Sequence, residues 1–265
     1  MLDRVQTSIV EWGRIQQERE MAGLQPDLSY ANLDFLLKAN LIYFSVTFIL
    51  YQVMKRRETG FRLTGIIAAY NVACVFLAGY VVVGMTYQWT VYGLPKFVCN
   101  TEDTNERGFK MAHLFYVFYL QKFFEFCDTW FFILRRSFRQ VTFLHVFHHS
   151  SITLAVGSIL PVAFSGDMFL PIFLNSSVHV LMYGHYLVTS LGLKSWWRPY
   201  LTALQLTQFV LISAQNVIAW VKGPSCGGPD FGKALLIAYM ASMLYLFGNF
   251  FVNRYIKTEQ KIKSN

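Results

Sequence analysis

The chain has 265 residues, 54% of them hydrophobic, with 25 Phe, 15 Tyr and a net charge of +8. Its apolar residues come in long runs rather than in alternation or amphipathic stripes, which argues against a soluble globular domain and for a polytopic membrane protein. The excess positive charge would suggest nucleic acid or an acidic partner in a soluble protein, but here it is concentrated between the apolar runs, where membrane topology accounts for it.

Residues 1–33 carry Glu11, Glu18 and Glu20 and lack the apolar core of a cleavable signal peptide. Leu2, Val5, Ile9 and Trp12 recur at helical spacing, which predicts a helix lying on a membrane face or an ordinary solvated amphipathic helix. Seven stretches beyond it are long and apolar enough to span a bilayer: 34–54, 64–86, 111–134, 141–162, 168–191, 200–221 and 232–253. No internal repeat, low-complexity tract or soluble domain interrupts them. The expected fold is therefore all-α, a single seven-helix membrane domain over 34–256 with a basic tail over 257–265.

The connections alternate in charge. The loops after the first, third and fifth spans and the tail together carry net +11, and the N-terminal segment with the other three loops carries −3. The positive-inside rule then puts the C-terminus in the cytosol and the N-terminus on the far side. Cys74 and Cys127 fall within spans. Cys99 and Cys226 fall in the two longer non-cytosolic loops, where an oxidising lumen would permit a bridge between them; two free thiols are the alternative. The last residues, "KIKSN", resemble the dilysine signal that returns membrane proteins to the endoplasmic reticulum, or form a plain basic tail beside anionic headgroups.

Ionisable side chains within a bilayer cost on the order of 2.5–3.5 kcal/mol each at mid-span, so clusters of them point to function. The third span reads "KFFEFCDT", with Lys122, Glu125, Asp128 and Thr129 on one helix face. Lys122 and Glu125 can neutralise each other, which leaves Asp128 in need of a partner. In "LHVFHH" of the fourth span, His145, His148 and His149 share one face. The fifth holds "NSSVHVLMYGHY", in which Asn175, His179, Tyr183 and Tyr186 form a stripe with His185 on its flank. The sixth holds "TALQLTQ", with Thr202, Gln205 and Gln208 at every third position. Given the topology, all four clusters lie between the bilayer centre and the cytosolic face, which favours one buried site reached from the cytosol.

Two chemistries suit such a site. H-x-x-H-H is also one box of the membrane di-iron desaturases and hydroxylases. Those sites use more histidines than the six present here, although a zinc site needs only three or four ligands. The other chemistry uses imidazole as nucleophile and base. A neutral imidazole is nucleophilic, a carboxylate can orient it, and an acyl-imidazole survives where water is excluded. A transporter with a proton relay is a third reading, and it usually shows repeated halves that this chain lacks.

The four boxes, in this order and spacing, resemble those of the fatty acid elongase (ELO) family. The resemblance implies an endoplasmic reticulum enzyme with a buried acyl tunnel, performing the condensing step of fatty acid elongation. Acyl-CoA and malonyl-CoA would give carbon dioxide, CoA and a 3-oxoacyl-CoA two carbons longer, with no metal or other cofactor. It further implies His148 as the nucleophile, with His145 and His149 orienting it or moving protons and Asp128 supporting one of them. His179 and Asn175 would assist decarboxylation or hold the enolate oxygen. Lys122, Glu125, Tyr183, His185, Tyr186, Gln205 and Gln208 would line the substrate chamber, and Arg254 and Lys257, with Arg135, Arg136 and Arg198, would receive the CoA phosphates. The implied partners are membrane lipid, the reductases and dehydratase of the elongation cycle and a second copy of the chain; nucleic acid is not among them. The family's fifth-span box usually ends Met-Tyr-x-Tyr-Tyr, whereas this chain reads Met182-Tyr183-Gly184-His185-Tyr186. "QVTFLHVFHH" is similar to the elongases of polyunsaturated or very long chains, which favours such substrates.

Overall fold

A computed structural model describes residues 31–101, 103, 106–161, 163 and 165–253. The expected N-terminal amphipathic helix and the basic tail, Arg254 and Lys257 included, lie outside the described residues. The described residues are helical, with no strand among them: α1 (Leu33–Lys55), α2 (Thr64–Tyr92), α3 (Glu106–Phe124), α4 (Phe126–Leu134), α5 (Phe143–Ile159), α6 (Phe169–Ser190), α7 (Arg198–Lys222) and α8 (Asp230–Phe251).

Each expected span coincides with helix, but not in the expected form. The third is two pieces that meet at Glu125, where Asp128 N donates to Glu125 O at 3.1 Å, one residue tighter than α-helical spacing. Four helices (α1, α2, Tyr200–Lys222 of α7, and α8) are long and apolar enough to cross a membrane. The others are shorter, broken or more polar because they carry the clustered Lys, Glu, Asp, Asn and His.

Side-chain caps set the starts of two helices. Asn32 Oδ1 accepts from Phe35 N at 2.8 Å at the head of α1. Thr142 Oγ1 accepts from His145 N at 3.2 Å at the head of α5, placing the first histidine in the opening turn. α2 packs along α6, α7 along α8, and α1 against α4 and α5, while α5 also touches α3 and α8. The core built this way includes Leu36, Phe115, Phe118, Tyr119, Ile152, Ile172, Phe209 and Met240. Outside it lies a broad apolar coat. Leu37, Leu41, Phe44 and Phe48 of α1 and Phe76, Val83 and Tyr87 of α2 are all exposed. No aqueous surface carries so much continuous apolar area, so these faces meet lipid and the protein is a multi-pass membrane protein.

At one end of the bundle, Cys99 and Cys226 are joined by a disulfide, linking the α2–α3 and α7–α8 connections. Asp167, in the α5–α6 connection, accepts from Cys99 N (2.9 Å), Asn100 N (2.8 Å) and Asn100 Nδ2 (2.7 Å). Gln215 of α7 donates to Phe97 O at 3.1 Å and Asp167 O at 3.0 Å. Three connections and one helix are thus bound at this end.

Candidate active site

The break at Glu125 turns a charged pair inward. Lys122 Nζ lies 2.7 Å from Glu125 Oε1, and the two side chains are 1% and 0% exposed. An ion pair so buried holds only if the remaining polar atoms find partners. Lys122 Nζ donates also to Asn175 Oδ1 at 3.2 Å and sits 4.6 Å from the Phe118 ring centroid, a cation–π contact. Glu125 Oε2 faces His179 Nε2 at 3.5 Å.

His179 is oriented by its own helix. Its Nδ1 is 2.8 Å from Asn175 O, one turn back. A carbonyl can only accept, so Nδ1 carries the proton, and in the neutral ring Nε2 is bare toward Glu125 Oε2. Glu125 Oε2 has no hydrogen-bond partner among the described residues, so a proton placed between it and His179 Nε2 would be shared by the two.

The three histidines of α5 go to different partners. His145 Nε2 is 2.9 Å from Thr129 Oγ1, which is 2.8 Å from the Tyr43 hydroxyl. His149 is buried behind it, with ring centroids 4.4 Å apart and its Nδ1 unpartnered. His148 Nδ1 is 3.0 Å from the Tyr239 hydroxyl of α8. Among the described residues, no three His, Cys, Asp or Glu side chains form a set that could hold a metal ion.

His148, Asn175 and Tyr239 line an apolar cavity. Its walls are Phe118, Ile152, Val156, Ile172, Phe209 and Met240, among others, and it reaches Met168 and Leu236. A second cavity also touches Met168 and Leu236 and ends among Asp167, Gln215, Asn216 and Lys233, at the disulfide end of the bundle. Ile152 and Val156 of α5 line the first cavity and Ile159 the second, so the two cavities follow α5 onward from His148.

Lys122, Glu125, Asn175, His179 and the three histidines of α5 are brought together. Asp128 is not beside a histidine: its Oδ2 accepts from the Tyr183 hydroxyl at 2.7 Å, and the carboxylate that meets an imidazole is Glu125. Tyr183 is thereby tied to Asp128, and Tyr186 stacks edge-on to it at 5.9 Å. Gln208 is buried with Oε1 unpartnered beside the cavity-lining Phe209, and Gln205 reaches only the Met182 sulfur at 3.9 Å. His185 faces the other way, toward Trp197 in the α6–α7 turn at 6.4 Å.

Tyr239, Thr129 and Tyr43 make hydrogen bonds to or behind the histidines that sequence reasoning assigned to no role. Tyr239 stands in an apolar run with Ser242 as its nearest helical polar neighbour, so it joins no stripe. The usable signal is a tyrosine hydroxyl far from either end of a span, where it must find a buried partner.

The ELO family model, described as "GNS1/SUR4 family", matches residues 28–263. The chain is 34% identical over 237 residues to very long chain fatty acid elongase 2 of Rattus norvegicus, a match covering 86% of this chain and 84% of that one. It is 32% identical over 225 residues to very long chain fatty acid elongase 5 of Mus musculus, covering 82% and 73%. With fatty acid elongase 5 of Leishmania major it shares 33% identity over 247 residues, covering 92% and 95%.

Proposed function

Because the chain belongs to the ELO family of fatty acid elongases, we propose that it catalyses the condensing step, joining a long-chain acyl-CoA to malonyl-CoA. The observation that carries this reading is His148, lining an apolar cavity together with Asn175 and Tyr239. An acyl chain laid in that cavity presents its thioester carbonyl to the imidazole. His148 Nε2 attacks, the C–S bond breaks, and CoA leaves as the thiolate with the electron pair. The dry cavity walls protect the acyl-imidazole from hydrolysis.

Malonyl-CoA then loses carbon dioxide. The carbanion attacks the acyl carbon, the C–N bond breaks, and the imidazole is restored as the 3-oxoacyl-CoA forms. Lys122, through its ammonium, and Asn175 lie where negative charge develops on the enolate oxygen. His179 and Glu125 hold or release one proton at the same place. No bond made or broken in these two steps calls on a metal ion.

The seven helical segments, α3 and α4 counting as one, span the endoplasmic reticulum membrane with the N-terminus in the lumen and the C-terminus in the cytosol, as the loop charges favour. The two cavities along α5, joined when a chain is bound, serve as the acyl tunnel. Arg135, Arg136, Arg198, Arg254 and Lys257 receive the CoA phosphates at the cytosolic rim, with Gln205 and Gln208 nearer the chemistry. The wording of the α5 box favours polyunsaturated substrates. The product passes to the cycle's reductases and dehydratase.

Purified protein given a panel of acyl-CoAs and carboxyl-labelled malonyl-CoA should release labelled carbon dioxide and form 3-oxoacyl-CoAs two carbons longer, in the presence of chelator. Acyl-CoA alone should leave an acyl adduct, detected by intact mass and absent from His148→Ala. Failure of every acyl-CoA to condense, or activity abolished by chelator and restored by iron or zinc, overturns the reading.

A further inference from the structure

Gln215 of α7 lines the second cavity and is 1% exposed. Its Nε2 spends one proton on Phe97 O at 3.1 Å and the other on Asp167 O at 3.0 Å. Both partners are carbonyls, which fixes the orientation of the amide: exchanging its nitrogen and oxygen would set oxygen against oxygen. The remaining atom, Oε1, is buried and has no hydrogen-bond partner among the described residues. No other buried side-chain nitrogen or oxygen of this lining is left so. Lys233 has its needs met, donating to Cys226 O at 2.9 Å and Gly223 O at 3.3 Å and pairing with Asp230 Oδ1 at 2.9 Å. Its charge is already neutralised, and Asp167 stands in the same lining, so nothing there favours an anion. What the cavity asks for is a neutral hydrogen-bond donor.

The face of α5 that follows His148 leads to it. Ile152 and Val156 line the first cavity, Ile159 and Ala163 line the second, and Met168 and Leu236 line both. The helical turn carries on to Ala163, whose N–H donates to Ile159 O at 2.9 Å. An acyl chain held at His148 by its carbonyl carbon would lie along this face, and its length would decide in which cavity its far end rests. We propose that the second cavity is a subsite for a hydroxyl group at the far end of the acyl chain, so that ω-hydroxyacyl-CoAs long enough to reach Gln215 are substrates. A hydroxyl that stops among Phe118, Ile152, Val156 and Phe209 has lost water and gained no partner. One that reaches Gln215 donates to Oε1 and satisfies both groups. A methyl end in the same place leaves that oxygen bare, and a site that offers a hydrogen bond discriminates against the analogue that cannot make it.

This inference rests on the condensing reading, and the experiment separates the two. Purified protein is given malonyl-CoA with two matched series of saturated acyl-CoAs of increasing length, one methyl-ended and one ω-hydroxylated, and kcat/KM is taken for each. In short chains the hydroxyl should lower kcat/KM about tenfold. In chains that reach Gln215 it should raise kcat/KM about fivefold over the methyl-ended partner, so the preference reverses as length grows. Gln215→Leu should abolish the reversal. Because that variant also strips two carbonyls of their donor, Gly232→Ala supplies a second test. Its Cβ would lie 3.7 Å from both Ile159 Cγ2 and Pro229 Cγ, ordinary contacts, and alanine suits a helix better than glycine. Gly232→Ala should therefore keep the melting temperature, narrow the second cavity and reduce the advantage of the long hydroxylated chains, while short chains of both series react as in wild type. Methyl-ended chains that condense while the hydroxyl gives no advantage at any length overturn the subsite alone and leave water as its occupant. A reversal that survives in both variants overturns Gln215 as the acceptor. Failure of every methyl-ended chain to condense overturns the condensing reading, and the subsite with it.

Discussion

Lys122 and Glu125 are each almost wholly removed from solvent and neutralise each other at 2.7 Å. Neither charge tolerates the loss of the other, because a lone buried charge costs roughly 3–5 kcal/mol. Lys122→Met and Glu125→Leu should therefore each lower the melting temperature sharply, and the double variant should recover most of that loss. The recovered protein should still not condense, since His179 has lost the carboxylate opposite Nε2 and Asn175 the ammonium beside its amide. A thermal scan of the four proteins decides it: single variants as stable as wild type would mean the pair is already hydrated and its neutrality unimportant. His185 is the opposite case. It departs from the family's box, but its ring packs toward Trp197, and its Nδ1 is buried without a partner. His185→Tyr should leave condensation within about twofold of wild type, because a tyrosine ring can keep the contacts that the imidazole makes with Tyr186 and Trp197. A tenfold loss would place His185 in the reaction after all.

At the scale of elements, the histidine helix is positioned by a close approach that only glycine permits. A Cβ on Gly157 would lie 2.6 Å from Leu36 Cδ2 of α1 and 3.0 Å from Tyr119 Cε2 of α3. Leu36 and Tyr119 are both fully enclosed, so neither can swing away. Gly157→Ala should cost roughly 1–3 kcal/mol by overpacking. Adding Leu36→Ala should return part of it, read as melting temperatures in one detergent; no recovery in the pair would locate the strain elsewhere. The positions of the helices were legible in the sequence because apolar runs of about 20 residues must be helical in a bilayer. The face shared by His145, His148 and His149 was legible for the same periodic reason. The break at Glu125 was not, because no Gly or Pro marks it. Nor was the partner of Asp128, expected beside a histidine and found on the Tyr183 hydroxyl, because helical periodicity fixes which face a side chain takes but not which side chain of the facing helix lies at its depth. Tyr239 escaped for a related reason, since its partner is 91 positions away and nothing local hints at it.

The molecule as a whole has two differently built ends. At one, α5 opens from its Thr142 cap, the histidines lie within its first two turns, and the flanking loops are basic. At the other, the Cys99–Cys226 disulfide, the Asp167 carboxylate and the Gln215 amide tie three connections together beside the second cavity. Chemistry at one end and closure at the other means each can be altered without the other. Between His148 and Ile159 alone, α5 rises about 16 Å at 1.5 Å per residue, well beyond the range over which unlinked substitutions influence each other. Cys226→Ser should abolish the gel-mobility shift that wild type shows on reduction and should lower the melting temperature. Asp167→Asn keeps the side chain's shape but places an amide where two backbone N–H groups now point at a carboxylate, and it should lower the melting temperature too. Combined, the two should be less than additive, because both loosen ties that hold residues 97–101 to the rest of that end. In each variant the initial rate of acyl adduct formation at His148 should remain within about twofold of wild type, since none of the groups around that imidazole touches the far end. Acylation that falls in step with the melting temperature would instead show that the closed end shapes the reactive one, and that the two ends of the bundle form a single mechanical unit.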